Sequence, residues 1–231
     1  MTKGMNRREF MKASAATGAA LMTASAPRVQ AQELKPIELP KAESKASAAL
    51  TELLKKRSSS RAYSPEPLSP AVLSGLLWAA FGVNRPDGKR TAPTANNKQE
   101  IDIYAATAAG LYLYDAKANA LAPVLAGDIR ALTGIAKQPF VKDAAVNLVY
   151  VADYAKMTDY YFGPVADSVK DLYAAAATGC ISQNVYLFCA AEGLATVLRA
   201  EIDKPALASA MKLRPEQKIV LAQSVGYPRR T

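Results

Sequence analysis

Residues 164–194 read PVADSVKDLYAAAATGCISQNVYLFCAAEGL, and they decide what kind of domain this is. The run from 164 to 192 is rich in alanine and leucine-like residues and has no internal proline, so it predicts one long helix, with Gly193 ending it. Apolar residues fall on several of its faces, and a helix of that kind has to be enclosed by other elements. The neighbouring sequence supplies strands for that purpose. Downstream lie LATVLR (194–199), a helix starting near Asp203, and IVLAQSVGYP (219–228). Upstream, AVNLVYVAD (145–153) is continuously apolar, which predicts a strand central in its sheet and covered on both faces.

Further towards the N-terminus, IDIYAAT, GLYLYD and ALAPVLA read as short strands joined by turns at 109–110 and 116–119, and a short helix is predicted near 127–135. Two helices precede them. One spans 45–57, with Leu50, Leu53 and Leu54 on one face. The other spans LSPAVLSGLLWAAFG, with Ser69 as N-cap, Pro70 at the first helical position and Gly82 near the end. Its stripe of Leu73, Leu76, Leu77 and Trp78 predicts a core-facing side, Trp78 included. Between these helices and the first strand, VNRPDGKRTAPTANNKQE (83–100) has no periodicity, and so long a loop is either functional or disordered. Helices before, between and after antiparallel-looking strands make an α+β domain: a central, mostly antiparallel sheet flanked by helices, with a long buried helix.

Composition removes several classes of chemistry. The chain of 231 residues contains no histidine, which excludes Ser–His–Asp and Cys–His catalysis and histidine-ligated metals. Its two cysteines, Cys180 and Cys189, are too few for a zinc or iron–sulfur cage, and no metal is expected. On one helix, nine residues put them about 13 Å apart along the axis and on opposite faces, beyond the roughly 7 Å a disulfide spans. Two buried free thiols are therefore expected. The chemistry then needs a borrowed cofactor or a carboxylate or tyrosine mechanism.

The N-terminus reads as an export signal. NRREFMK (6–12) carries paired arginines and Phe10, a weakly apolar run follows, and VQA (29–31) is a small–x–small cleavage site. The pattern resembles the twin-arginine signal S/T-R-R-x-F-L-K, with departures at Asn6 and Met11. That route exports folded proteins and is common for those that load a cofactor first. The apolar run is shorter than the roughly 20 residues of a membrane span, so no stable span is expected. The chain then divides into a twin-arginine signal peptide (1–31, cut after Ala31), a polar leader (32–44) and a folded domain (45–231) in the periplasm or otherwise outside the cytoplasm. The formal charge is +9, of which Lys3, Arg7, Arg8, Lys12 and Arg28, set against Glu9, account for four. The remainder is moderate, with no long basic block or aromatic–basic interleaving, so no nucleic-acid partner is expected.

KKRSSSRAY (55–63) sets three serines between two arginines just after the first helix. Guanidinium forks and hydroxyls at this density make a phosphate cradle, and equally a solvated helix end. The cluster by itself leaves both readings open. R-x-S-x-R-x-Y (Arg57, Ser59, Arg61, Tyr63), P-[ST]-[AS]-x-N-x-Q (PTANNKQ, 93–99), A-A-E-G-L at 190–194 and a terminal V-G-Y-P (225–228) occur in that order. Together they resemble the nitroreductase family of FMN-dependent flavoproteins over about 50–228.

The resemblance implies an FMN cofactor and roles for individual residues. Arg57 and Ser59, with Ser58 nearby, fall on the phosphate-holding positions. Arg61 falls by the flavin N1/O2 edge, where a cation would stabilise the reduced ring. Asn97, or Asn96 beside it, matches the residue paired with the pyrimidine edge. Ala200 or Glu201 would present a backbone N–H near N5. Arg229 and Arg230 are candidates for a basic pair at the phosphate. Ala195 departs from the family's usual G-L-G. No side chain is assigned as a catalytic acid or base, because the flavin N5 carries the chemistry; Tyr160, Tyr161 and Tyr173 read as packing or surface residues that could also line a substrate pocket. The implied protein is an exported FMN-dependent oxidoreductase passing two electrons to or from a small organic substrate. It would act as a homodimer with FMN at the interface, and the twin-arginine translocase would be its partner during export. The alternatives are an azoline-type dehydrogenase of modified peptides and a non-catalytic flavin- or ligand-binding protein.

Overall fold

Val146–Asp153 is buried at every position, and the rest of the domain is arranged around it. In the computed structural model, which describes residues 34–40 and 50–229, seven strands form one sheet. They are β1 (Ile37–Glu38), β2 (Ile101–Thr107), β3 (Gly110–Asp115), β4 (Ala120–Ala126), β5 (Val146–Asp153), β6 (Ala195–Arg199) and β7 (Gln217–Gly226). The order is β1-β4-β3-β2-β5-β7-β6, with every pairing antiparallel. The α+β class and the internal place of β5 are as the sequence predicts.

Both faces of the sheet are covered. Leu148 and Tyr150 point into a core shared with Leu76, Leu77 and Phe81 of helix α2 (Pro70–Phe81) and with Ile181, Val185 and Phe188 of helix α3 (Asp167–Glu192). Val149 and Val151 point the other way, against Leu207 of helix α4 (Lys204–Ala210) and Met211. A strand buried on two faces needs apolar side chains at successive positions, which is why β5 shows no alternation.

The long helix begins at Asp167 and closes at Gly193, whose φ of 69° is left-handed and whose N–H caps Cys189 O. It is buried along one flank (Ala174, Ala177, Ile181, Val185, Cys189). Leu172, Ala175, Ala176, Gly179 and Cys180 form an exposed face opposite. Both thiols are free; Cys189 is buried as expected, with its pKa driven up by burial, whereas Cys180 lies on the open face and is exposed.

Other departures have local causes. Trp78 is 40% exposed, because its indole turns back to donate to Val83 O instead of entering the core. Helix α1 (Leu50–Lys56) has no fully buried residue; Leu50 and Leu54 are exposed, Leu53 is half-buried, and residues 45–49 are outside the described residues. Near 127–135 only a 3-10 turn forms at Arg130–Thr133, followed by another at Pro139–Lys142. The 83–100 loop is tied down: Arg90 donates to Phe81 O and Gln99 Oε1, and Gln99 donates to Gly88 O. The polar leader is part of the sheet as well. Its Ile37–Glu38 pair with Leu121 and Ala120, Leu39 is buried, and Asn119 Nδ2 donates to Pro40 O at 2.9 Å. The signal, the cleavage site and Arg230 lie outside the described residues.

Candidate functional site

The arginine–serine segment leaves α1 at Lys56 and runs along the outer edge of β6. Ser60 N–H donates to Thr196 O at 2.9 Å, adding a bond where β6 has no strand partner on that side. Tyr63 is buried and donates its hydroxyl hydrogen to Ser60 O at 2.9 Å. Just beyond, Ser64 N–H donates to Tyr227 O, and Arg229 N–H donates to Ala62 O. The segment is thus zipped between the sheet edge and the tail that follows β7, which brings residues 57–61 and 229 together from opposite ends of the chain.

Side chains along this edge point a dense set of donors outward. The Arg57 guanidinium lies over the Tyr186 ring, 5.2 Å from its centroid. Ser59 Oγ is 2.8 Å from the Tyr186 hydroxyl, which also accepts from Leu198 N–H at 3.0 Å. Arg61 is exposed, with its guanidinium 6.0 Å from the Phe140 ring centroid. Arg229 donates from Nε to Tyr63 O and sits 3.7 Å from Asp143, an exposed and weak pair. Ser58 is exposed beside them.

At the end of β6 the backbone is locked by Arg199, which is 5% exposed. Its guanidinium donates to Thr133 O at 2.6 Å, Ser224 Oγ at 3.1 Å and Asn147 Oδ1 at 3.3 Å. All of these acceptors are neutral, and burial brings the Arg199 pKa down to about 10. Ala200 and Glu201 follow in the open, with Glu201 Oε2 accepting from Gln138 Nε2 at 3.1 Å. A largely apolar cavity of about 390 Å³ adjoins them, lined by Leu132, Ile135, Gln138 and Asp203 among others.

Asn97 belongs to a second group. Asn96 and Asn97 both adopt left-handed φ, 52° and 53°, a conformation asparagine tolerates, and Asn97 Oδ1 accepts from Gln99 Nε2 at 3.2 Å. Their loop rests on α3, where Asn184 Nδ2 donates to Thr91 O and where Thr94 and Ala95 share a cavity wall with Tyr173, Ala177 and Cys180. At about 100° per residue, those positions and Tyr186 lie on opposite flanks of the exposed α3 face. One copy of the chain therefore gathers Arg57, Ser58, Ser59, Arg61 and Arg229 beside Ala200–Glu201, and holds Asn96–Asn97 on the other flank.

Three features carried no sequence motif. Tyr186 is one position among many in the long helix, and Arg199 sits at a strand end; their partners come from distant parts of the chain. Glu100 is fully buried, with neither carboxylate oxygen hydrogen-bonded among the described residues, and burial raises its pKa. Of the tyrosines considered for a pocket, Tyr160 is buried against Tyr173 and Tyr161 is 88% exposed. Among the described residues no cluster of metal-ligating side chains occurs, and no helix is long and apolar enough to cross a membrane.

The chemistry of the first group fits a phosphate-bearing anion: arginine forks, hydroxyls and an anchored backbone on one edge. Similarity to known proteins extends over most of the chain. Residues 54–227 match the nitroreductase family, and residues 4–24 match the twin-arginine translocation pathway signal sequence. A nitroreductase-type protein of Methanocaldococcus jannaschii is 30% identical over 156 residues, 64% of this chain and 76% of that protein. A nitroreductase-type crystal structure from Ralstonia eutropha JMP134 is similar with a TM-score of 0.79 and 36% identity, over 86% of this chain and 91% of that one. Another, from Desulfovibrio desulfuricans and solved in complex with FMN, shares the fold with a TM-score of 0.56 at 21% identity, over 80% of this chain and 88% of that one.

Proposed function

This chain belongs to the nitroreductase family, and on that premise we propose that it is an exported FMN-dependent oxidoreductase acting on a small organic molecule. The observation that carries this reading is the row of Arg57, Ser59, Arg61 and Arg229 on the β6 edge, held by backbone bonds at both ends. The FMN-bound relative from Desulfovibrio desulfuricans supports the choice of cofactor. Bound there, FMN would supply two-electron chemistry at N5.

In this reading the chain binds and orients. Arg57 and Ser59, with Ser58 and Arg229 near, take the phosphate. Arg61 would serve the ring edge where negative charge develops, and a fixed cation there would favour the reduced form. The backbone at Ala200–Glu201, restrained by the Arg199 contacts, would offer an N–H to the flavin near N5. The cavity beside Gln138 and Asp203 accommodates the second reactant.

The functional unit is a homodimer. The open α3 face carries small residues between the two groups of candidate ligands, so a second copy packed on it would bring one chain's Asn97 loop towards the other's Arg57 flank. Twin-arginine export delivers the protein to the periplasm, with cleavage after Ala31. That cut leaves Leu34, Ile37 and Leu39 in the mature chain, where they pack against the core.

Stopped-flow mixing of the FMN-loaded protein with NADH, NADPH and reduced quinols, followed by a nitroaromatic acceptor, tests the assignment. Reduction by at least one donor and reoxidation by the acceptor are expected. A flavin that binds but is neither reduced nor reoxidised would make this a binding protein.

A further inference from the structure

Tyr186 makes three contacts on the flank of α3 that faces the arginine–serine segment. Its hydroxyl oxygen accepts from Leu198 N–H at 3.0 Å, the same hydroxyl lies 2.8 Å from Ser59 Oγ, and its ring lies under the Arg57 guanidinium at 5.2 Å. We propose that Tyr186 is a positioning residue that fixes Ser59 as an outward hydrogen-bond donor and holds Arg57 beside it, so that the pair grips a phosphate. This rests on the FMN reading of the site.

The direction of the hydrogen bonds follows from counting protons. A backbone N–H only donates, so the tyrosine oxygen is the acceptor in its bond to Leu198. Tyr186 keeps one proton, and Ser59 Oγ is within reach of it. If that proton goes to Ser59, the serine's own hydrogen is left over and turns outward, since Ser59 is exposed. An ionised phosphate only accepts, and this arrangement offers it a donor. In the reverse arrangement Ser59 would donate to Tyr186 and face the anion with lone pairs. The anion therefore selects the chain Leu198 N–H to Tyr186 O–H to Ser59 O–H, in which each donor polarises the next.

The ring has a separate task. A guanidinium held over an aromatic face loses less side-chain freedom when a ligand arrives. Leu198 also lies on the strand that runs into Arg199 and Ala200, so one side chain keeps the phosphate end in register with the backbone proposed to lie near N5. If Tyr186 served only to satisfy Leu198 N–H, its hydroxyl would matter for stability and not for ligand affinity.

The test is titration of FMN into apo forms of the full mature protein, comparing wild type, Tyr186→Phe, Ser59→Ala and the double variant. Tyr186→Phe keeps the ring under Arg57 and removes only the hydroxyl. It and Ser59→Ala should each raise the FMN dissociation constant about tenfold, the scale of one lost hydrogen bond to a charged group. The double variant should be no weaker than Ser59→Ala, because both changes act through the same donor. Unchanged affinity in Tyr186→Phe, or fully additive losses, would overturn the proposal while leaving the FMN site intact. Wild-type affinity in Ser59→Ala, which alters an exposed position, would overturn the proposal whether or not Tyr186→Phe folds. A wild-type protein that takes no FMN overturns both the proposal and the reading beneath it.

Discussion

Arg57 and Arg61 are four residues apart on one edge, yet the charges they meet differ. A phosphate is charged in every redox state, while the flavin ring gains charge only on reduction. Arg57→Ala should therefore mainly weaken FMN binding, by about 1.5–3 kcal/mol or roughly 10- to 100-fold. Arg61→Ala should chiefly lower the midpoint potential and slow reduction, with a smaller loss of oxidised FMN. Titration and potentiometry on both variants separate the roles; equal losses of FMN with no change in potential would assign both arginines to the phosphate. Glu100 offers a stability test at the same scale. Its folded pKa is raised by burial, which outweighs the opposing influence of its own backbone N–H, the nearby Thr94 hydroxyl and, least of the three, Lys156. The stability of the neutral form is therefore complete below the unfolded value of about 4.3 and is lost as pH rises through the folded value. Thermal melts of Glu100→Gln and wild type should coincide near about pH 4 and diverge near about pH 8, with the variant more stable. The R-x-S-x-R cluster could be picked out in the sequence by its place in a series of motifs, since the residues alone read equally as a solvated helix end, and the structure gathers Arg57, Ser58, Ser59 and Arg61 along the β6 edge. Tyr186, Arg199 and Glu100 could not, since their meaning comes from partners far away in the chain.

At the scale of elements, legibility followed local physics. Ser69 caps α2 by accepting from Val72 N–H, Gly193 closes α3 in the left-handed region, and a run of apolar residues interrupted only by Asn147 before its terminal Asp153 marks β5. Elements made by tertiary contact were harder to see. Strand β1 lies in a polar, proline-bearing stretch whose pairing with β4 has no periodic pattern, and the turns after β4 are too short for one. Leu39 next to β1 is buried, so Leu39→Ala should cost about 2 kcal/mol in urea denaturation, the low end for a buried leucine beside a sheet edge. An unchanged midpoint would mean that the 34–40 stretch is dispensable to the domain.

For the whole molecule, the open α3 face joins the fold to the proposed function. Gly179→Glu places a charge in the centre of that face, where the glycine has open space around it. The variant should fold with unchanged secondary structure, sediment as a monomer and lose FMN, because the two groups of ligands would no longer meet. A monomer that keeps FMN would place the whole site within one chain. The overall assignment itself, a flavin held by the β6 edge, is tested most directly by the visible spectrum of the purified mature protein. Flavin absorption bands are expected, with FMN released intact, phosphate included, on heat denaturation. A colourless protein that cannot be reconstituted by added FMN would contradict the account.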